Sequence, residues 1–152
     1  MRKKPGEKGQ TTIEVALVMI LLLVLFFGIA EIARAWWLKN QINNAARVAV
    51  RVAIVTPGLS NISPPVTCSS SNAIVVVACN SITNAQLHND PNTLIGLSIT
   101  DDDSSGGLSS GDTVTVTVSG RFVSVVPNLA NLSYGLFPAL LTMTSDASMR
   151  YE

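Results

Sequence analysis

The stretch that decides the fold is residues 9–33, GQTTIEVALVMILLLVLFFGIAEIA. Its centre, residues 15–30, is an unbroken apolar run. Extended to residues 12–33 as a helix, at 1.5 Å per residue, it would be roughly 30 Å long. That length crosses the hydrocarbon core of a bilayer. We therefore predict one transmembrane helix over about residues 12–33, surrounded by membrane lipid.

The charged residues around the apolar run are distributed unevenly. Residues 1–9 contain one acid and four bases, Arg2, Lys3, Lys4 and Lys8. Because lysine and arginine are enriched on the cytoplasmic side of membrane spans, the N-terminus is expected in the cytoplasm and the later residues outside it. From residue 10 onward six bases stand against nine acids, a formal net charge of −3. This part therefore has no basic excess with which to bind nucleic acid.

The helical pattern continues beyond the span without a break. Residues 31–55 contain neither proline nor glycine, and the first stop signal is Thr56-Pro57-Gly58. We therefore predict one long helix over residues 10–56. A secretory signal peptide is the rival interpretation, but it would have a shorter apolar segment and a small-residue cleavage site. Trp36 and Trp37 are expected at the far membrane interface, or else packed against the following domain.

Small apolar side chains form a stripe along the second half of this helix. They recur at spacings of three and four and so share one face: Ile42, Ala45, Ala46, Ala49, Val50 and Ala53. Such a stripe allows another helix or a sheet to approach closely. Its partner is the chain's own domain, another subunit, or both. Arg47 and Arg51 stand one turn apart, off the centre of the stripe.

Residues 57–152 are expected to form a small extracytoplasmic α+β domain. Residues 94–100 predict one strand, and the alternation of apolar and polar residues over 112–126 and 140–152 predicts two more. The fold class is therefore α+β, a long N-terminal transmembrane helix followed by an antiparallel sheet of about three strands.

Three other segments connect these strands. Residues 58–71 are rich in Pro, Ser, Asn and Gly and predict a loop, and residues 127–138 predict a looping connection. Residues 73–87 fit a strand by their β-branched run, or a helix capped by Asn72. We favour the helix.

The chain contains two cysteines, Cys68 and Cys79, both in the part expected outside the cytoplasm. An oxidising compartment favours a disulfide between them. Closing so short a loop would stabilise the fold by roughly 2–3 kcal/mol in the chain-entropy treatment. Two buried thiols are the alternative.

Residues typical of catalytic or metal sites are few. His88 is the only histidine, so no His-based metal site or triad is available, and we expect it at the surface. Residues 101–103 are three aspartates, but their spacing does not match a calcium-binding loop and favours a solvated turn. Phosphate-binding glycine loops and nucleophile elbows are absent from the sequence. We predict a non-enzyme with no catalytic residues, no metal and no cofactor.

Gly9, followed by Gln10-Thr11-Thr12-Ile13-Glu14 and a long apolar helix, resembles the processing site of type IV pilin-like precursors. In those proteins a prepilin peptidase cuts after the glycine and leaves a glutamate at the fifth mature position, where Glu14 would stand. The chain resembles more narrowly the TadE-like minor pilins (pseudopilins) of tight-adherence (Tad) pili. The residues that carry this resemblance are Phe27-Gly28-Ile29 with Glu31, Ala45-Ala46-Arg47 with Arg51, and the C-terminal VTVTVSGRF and MTSDASMRYE. Unlike ordinary type IV pilins, the chain has Gln10 in place of phenylalanine and no proline within the apolar run.

The resemblance implies a minor pilin that acts in assembly of a Tad-type (type IVc) pilus, with residues 1–9 as a leader. Its partners would be the prepilin peptidase, the major pilin, a sister minor pilin and the inner-membrane assembly platform. It would be a single-pass protein of the inner (cytoplasmic) membrane, or a part of the fibre, which serves cell adhesion. The alternative function is an uncleaved single-pass envelope protein whose outward domain binds a ligand or another protein.

Glu14 has a physical role in the first of these functions. An ionisable group at the start of a span is costly and usually functional. Cleavage after Gly9 would make the backbone nitrogen of Gln10 a cation, and a neighbour's Glu14 carboxylate could pair with it and set one stagger between helices. The alternative is a carboxylate that reaches the head groups at the cytoplasmic surface. For Gly9 itself, the alternative to a cleavage site is a flexible linker.

Overall fold

The computed structural model describes residues 7–102, 109–124 and 140–152 of the chain. Within these ranges the elements are α1 (Glu7–Ala53), β1 (Ile62–Thr67), α2 (Ala73–Asn80), α3 (Ala85–His88), β2 (Leu94–Thr100), β3 (Thr113–Val123) and β4 (Leu140–Arg150). A long apolar helix followed by a small antiparallel sheet confirms the predicted α+β class. The predicted connection over residues 127–138 lies outside the described residues. The chain divides into two compact units, Met1–Arg34 and Ala35–Glu152.

The first unit contains the apolar part of α1. Its large apolar side chains between Ile13 and Ile32 are exposed. The segment Gly9–Ala53 is long and apolar enough to cross a membrane, with a mean hydropathy of 2.9 in its most apolar stretch, none of which is buried. Because water solvates such a surface poorly, this helix needs lipid or another apolar partner. By length and composition, the described chain therefore contains the predicted candidate membrane span.

In the second unit the last five turns of α1 pack on the sheet. The stripe of small residues is buried there and joins the core of the unit: Ile42, Ala45, Ala46, Ala49, Val50 and Ala53, with Leu38 before them. Alanine side chains allow a close approach of helix to sheet. The stripe therefore packs on the chain's own domain, the first of the two partners considered for it.

The sheet is an antiparallel meander in the order β1-β2-β3-β4. β3 alternates strictly: Val114, Val116, Val118 and Phe122 are buried against the helices, while the intervening threonines are half-buried on the other face. Gly120 stands in the buried row, and a Cβ there would lie 2.3 Å from Leu87 Cδ1 and 3.1 Å from Ile42 Cδ1. The missing side chain is what allows α1 and α3 to lie so close to the strand.

The prediction of a loop over residues 58–71 is wrong at its centre, because β1 adds a fourth strand there. β1 pairs with β2 through Ile62 opposite Leu97 and Val66 opposite Ile95, with an irregular register between them. That irregular stretch contains Pro64 and Pro65. Proline has no backbone N–H, so it is tolerated at an edge strand or a bulge. The prolines that indicate a loop are therefore compatible with this particular strand.

The ambiguous segment after Asn72 is helical, as favoured. The Asn72 side chain accepts a hydrogen bond from the backbone N–H of Ile74 at 3.0 Å, which caps α2 at its first turn. Ile74, Ala78 and Ile82 are buried in the core. A second short helix, α3, follows, so the segment is two helices separated by a turn.

A buried carboxylate holds the described part of the turn between β2 and β3. Asp112 is fully buried, and its two oxygens accept from the backbone N–H of Asp102 at 3.1 Å and of Ser109 at 2.7 Å. The Ser109 hydroxyl also donates to it, at 3.2 Å. Hydrogen bonds to an ionised carboxylate are stronger than neutral ones. Asp112 therefore fixes where the chain leaves β2 and enters β3.

Candidate assembly site

The predicted processing site lies in the first turns of α1. Gly9 and Gln10 are helical, although cleavage by a protease needs an extended backbone. The first turn of a helix lacks internal partners for its N–H groups and frays readily. Glycine in a helix is about 1 kcal/mol less favourable than alanine, which promotes fraying at this position. A Cβ on Gly9 would meet no atom within 4 Å, so no packing within the described chain requires a glycine there.

Glu14 and Gln10 are one helical turn apart and lie on the same face of α1. The Glu14 side chain is exposed. Within the part of the chain that the structure describes, its carboxylate has no ion-pair partner. An unpaired carboxylate next to an exposed apolar surface is available to a cation from outside the chain.

Two charges at the end of the first unit, those of Glu31 and Arg34, form a pair of their own. Glu31 Oε2 lies 3.3 Å from Arg34 Nη1, and the Glu31 side chain is only 11% exposed. The residues are three apart, the spacing at which helix side chains are neighbours. Sequence analysis did not predict this pair, although the spacing of three residues would have indicated it. The pair neutralises both charges, whereas Glu14 has no ion-pair partner among the described residues.

The two cysteines are joined in the second unit. Cys68 and Cys79 form a disulfide with a Cα–Cα distance of 5.7 Å. This confirms the predicted bridge and rules out the alternative of two buried thiols. It links the residue after β1 to α2. The disulfide and the processing site belong to separate units.

His88 lies beside this disulfide rather than freely at the surface. It is half-buried, and its ring Nδ1 lies 3.0 Å from the carbonyl oxygen of Cys79. A carbonyl can only accept, so Nδ1 carries the proton and donates. A shallow cleft of about 210 Å³ lies next to it, lined by Thr67, Cys68, Ser69, His88, Asn89, Asp90 and Pro91. The histidine thus has a structural hydrogen bond that sequence analysis did not foresee.

Asp90, at the same cleft, is tied to the sheet by an ion pair. Its Oδ2 lies 3.6 Å from Arg121 Nε, and its Oδ1 accepts from the backbone and side chain of Asn92 at 2.9 and 2.7 Å. Burial alone would raise the pKa of Asp90. The two hydrogen bonds from Asn92 and the positive charge of Arg121 outweigh it, so that the pKa lies below its usual 3.8.

The described residues contain no group of three or more His, Cys, Asp or Glu side chains that could hold a metal ion. Asp102 lies in the turn that Asp112 organises, and Asp103 lies outside the described residues. The cleft at His88 combines one histidine and one carboxylate that already has a cationic partner. The polar side chains of this cleft therefore stabilise the domain through contacts within the chain.

The described chain thus combines a long apolar helix, a candidate membrane anchor, with an antiparallel sheet packed on helices, the α+β arrangement that the resemblance implies. The family model described as TadE-like protein matches residues 9–51. The match covers 43 of the 152 residues and confirms the resemblance over the long helix, where the chain is similar to TadE-like proteins. Neither a curated protein nor a solved structure matches the chain.

Proposed function

We propose that this protein is a minor pilin, or pseudopilin, that acts in assembly of a Tad-type pilus and is processed after Gly9 by a prepilin peptidase. The observation that carries the proposal is that the TadE-like match starts at Gly9 and includes Glu14. In the structure this carboxylate has no ion-pair partner among the described residues and stands on an exposed apolar helix. Both features suit a subunit whose Glu14 carboxylate and apolar helix surface are contacted by neighbouring subunits.

The processing step creates the cation that Glu14 needs. Hydrolysis of the Gly9–Gln10 peptide bond leaves a free amine on Gln10, which is protonated near neutral pH. In hydrocarbon, a carboxylate and an ammonium are each costly alone, and each stabilises the other when they meet. Packing between the helices of two subunits is therefore most favourable at the axial offset that brings Glu14 of one to the new N-terminus of the other. Glu14 thus selects the register between helices.

The partners follow from this role. The peptidase would act on the leader in the membrane, and the major pilin and a sister minor pilin would supply the neighbouring helices. The inner-membrane platform would move assembled subunits out of the bilayer. The second unit, with its disulfide, would lie outside the cytoplasm, where oxidation of thiols is favoured.

The start of the mature chain tests the processing step. The protein is purified from a cell that has the peptidase, and its N-terminal sequence and intact mass are determined. A mature chain that starts at Gln10 is expected. A Gly9→Leu variant should stay uncleaved because a large side chain at the cut site obstructs the protease, whereas Gly6→Leu should be cleaved normally. A wild-type chain that retains residues 1–9 would instead support the uncleaved single-pass envelope protein.

Glu14→Gln tests the register role. This variant keeps the shape of the side chain and removes its charge, so we expect normal insertion, processing and disulfide formation with loss of pili. Glu31→Gln is the matched control, since Glu31 has a partner within the chain. Pili are counted by electron microscopy, and the pili released from cells by shearing are quantified. Normal piliation in the Glu14→Gln strain would refute the role proposed for the carboxylate.

A further inference from the structure

Arg47 and Arg51 have no part in the site described above. Both are exposed and lie one turn apart on α1. Their neighbours Ala46, Ala49 and Val50 are buried in the core, so the arginines stand on the side of α1 that faces away from the sheet. Because residues four apart are adjacent on a helix surface, the two guanidinium groups form one positive patch. We call these two residues the arginine patch.

The other cations of the second unit all have partners within the chain. From residue 35 onward the sequence contains five bases. Lys39 donates to the carbonyl oxygen of Thr144, Arg121 pairs with Asp90, and Arg150 Nε donates to the carbonyl oxygen of Gly111 at 2.8 Å. The guanidinium groups of the arginine patch have no ion-pair partner among the described residues. Like charges one turn apart repel, and an anionic partner would relieve that repulsion.

Exposed carboxylates occur on a different surface of the same unit. Asp101 and Asp102 follow β2 and are both exposed. The backbone of Asp102 is held in place, because its N–H donates to buried Asp112. They directly follow Thr100, which pairs with Thr113 at the start of β3. The contact of β3 with Ile42 of α1 is near the other end of the strand, at Gly120. Asp101 and Asp102 therefore lie at the end of β3 away from that contact. We call Asp101 and Asp102 the acidic turn.

We propose that the arginine patch of one copy binds the acidic turn of a second copy of this chain. Two complementary surfaces at different places on one chain make a head-to-tail contact, which can extend into an array. A two-fold dimer could make the same contact twice, with each patch on the turn of the other copy, and both arrangements pair the patch with the turn. The proposal deepens the proposed function by naming a contact between subunits, and it does not require cleavage at Gly9.

The position of the patch favours a protein carboxylate over a lipid phosphate. Arg47 is eleven residues beyond Trp36, which is about 16 Å along a helix. Tryptophans settle at the level of the lipid head groups, so the patch would stand above that level. The exposed residues between them include Asn40 and Asn44, which are polar and uncharged. Trp37 is the last exposed large apolar residue before the patch, so the helix surface between it and Arg47 does not have the apolar character of a lipid-contacting face.

A charge swap in two full-length copies tests the contact. Copies with different affinity tags are co-expressed, solubilised in mild detergent at low salt, and captured by the first tag, and the second tag is quantified. In R47E/R51E the patch and the turn are both acidic, and in D101K/D102K both are basic. Each variant should therefore recover about tenfold less of itself than wild type does. Mixing the two variants should restore recovery, because each patch then meets a turn of opposite charge.

Controls separate this contact from misfolding and from failed processing. R47K/R51K keeps the charge and should behave as wild type, and the Cys68–Cys79 disulfide on a non-reducing gel reports folding. The intact mass of the same sample shows whether the chain starts at Gln10, so loss of the contact and loss of cleavage are read separately. If the swapped variants associate as well as wild type, or the mixture of the two fails to recover, the proposal is wrong.

Cross-linking gives an independent result with minimal change of charge. Arg51→Cys in one copy and Asp102→Cys in another, treated with a short bifunctional maleimide, should give a covalent dimer. The native cysteines are in a disulfide and do not react with maleimide. Arg51→Cys with Thr142→Cys, an exposed position on β4, should not cross-link. A dimer from Arg51→Cys alone, or a cross-link only to a different protein, would overturn the contact between copies.

Discussion

Gly120→Ala should destabilise the second unit through a single methyl group. The new Cβ would lie 2.3 Å from Leu87 Cδ1 and 3.1 Å from Ile42 Cδ1. Both side chains are buried, at 1% and 0% exposure, so neither can turn away without disturbing the core. Overpacking of this kind costs about 1–3 kcal/mol. Replacing a glycine by alanine recovers at most about 1 kcal/mol through the unfolded chain. We expect a net loss of about 1–2 kcal/mol.

The measurement is thermal unfolding of the full-length protein in detergent micelles, followed by circular dichroism. A loss of that size should lower the melting temperature by roughly 4–8 °C. Gly96→Ala is the matched control, because its Cβ would meet no atom closer than Pro65 Cγ at 3.3 Å, and it should cost less. In the double variant Gly120→Ala/Leu87→Ala the added methyl would occupy space that the leucine leaves. The double variant should therefore lose less unfolding free energy than the sum of the two single-variant losses, by about 0.5 kcal/mol or more. Simple additivity, or a Gly120→Ala protein as stable as wild type, would refute this account of the packing.

Two further predictions concern the second unit. Reducing the Cys68–Cys79 bridge, which spans a separation of 11 residues, should cost about 2–3 kcal/mol of unfolding free energy. Urea unfolding with and without dithiothreitol measures it, and a Cys68→Ser/Cys79→Ser variant should show no such response to the reductant. The pKa of Asp90 lies below its usual 3.8, so its carboxylate stabilises the fold above that pH, and the contribution is lost as the pH falls through 3.8 and below. Asp90→Asn should therefore lose less stability below about pH 4 than wild type does, while Asp146→Asn, at an exposed position, should follow wild type.

Local periodicity explains the elements that could be predicted from the sequence. The strand over residues 94–100 has the same bounds in the structure as in the prediction. The alternation in β3 is seen in its buried valines, and the Asn72 cap marks the start of α2. Each of these signals depends on residues within a few positions of one another, and burial on one face is enough to select the element.

The misses have a different origin. β1 contains Pro64 and Pro65, and its pairing with β2 depends on partners about thirty residues away, such as Leu97. A proline-rich segment has no local signal that distinguishes a bulged edge strand from a loop. A lone histidine among polar residues predicts a surface position for His88, whereas its ring is half-buried and hydrogen-bonded to the carbonyl oxygen of Cys79. Contacts of this kind are decided by how the chain folds back on itself.

The features of the candidate site also fall into those that consecutive residues determine and those that depend on the tertiary structure. The apolar run, the carboxylate at its start and the glycine before it are properties of consecutive residues, and they were sufficient to indicate a TadE-like helix. Tertiary structure was needed to show that the alanine stripe packs on the chain's own sheet, which leaves Arg47 and Arg51 on the opposite side of α1. It was equally needed to show that the two cysteines meet. Hydrophobicity and helical spacing act over a few residues and are readable from the sequence. Which face of a helix is covered, and which charges stay without a partner, depends on residues that only folding brings together.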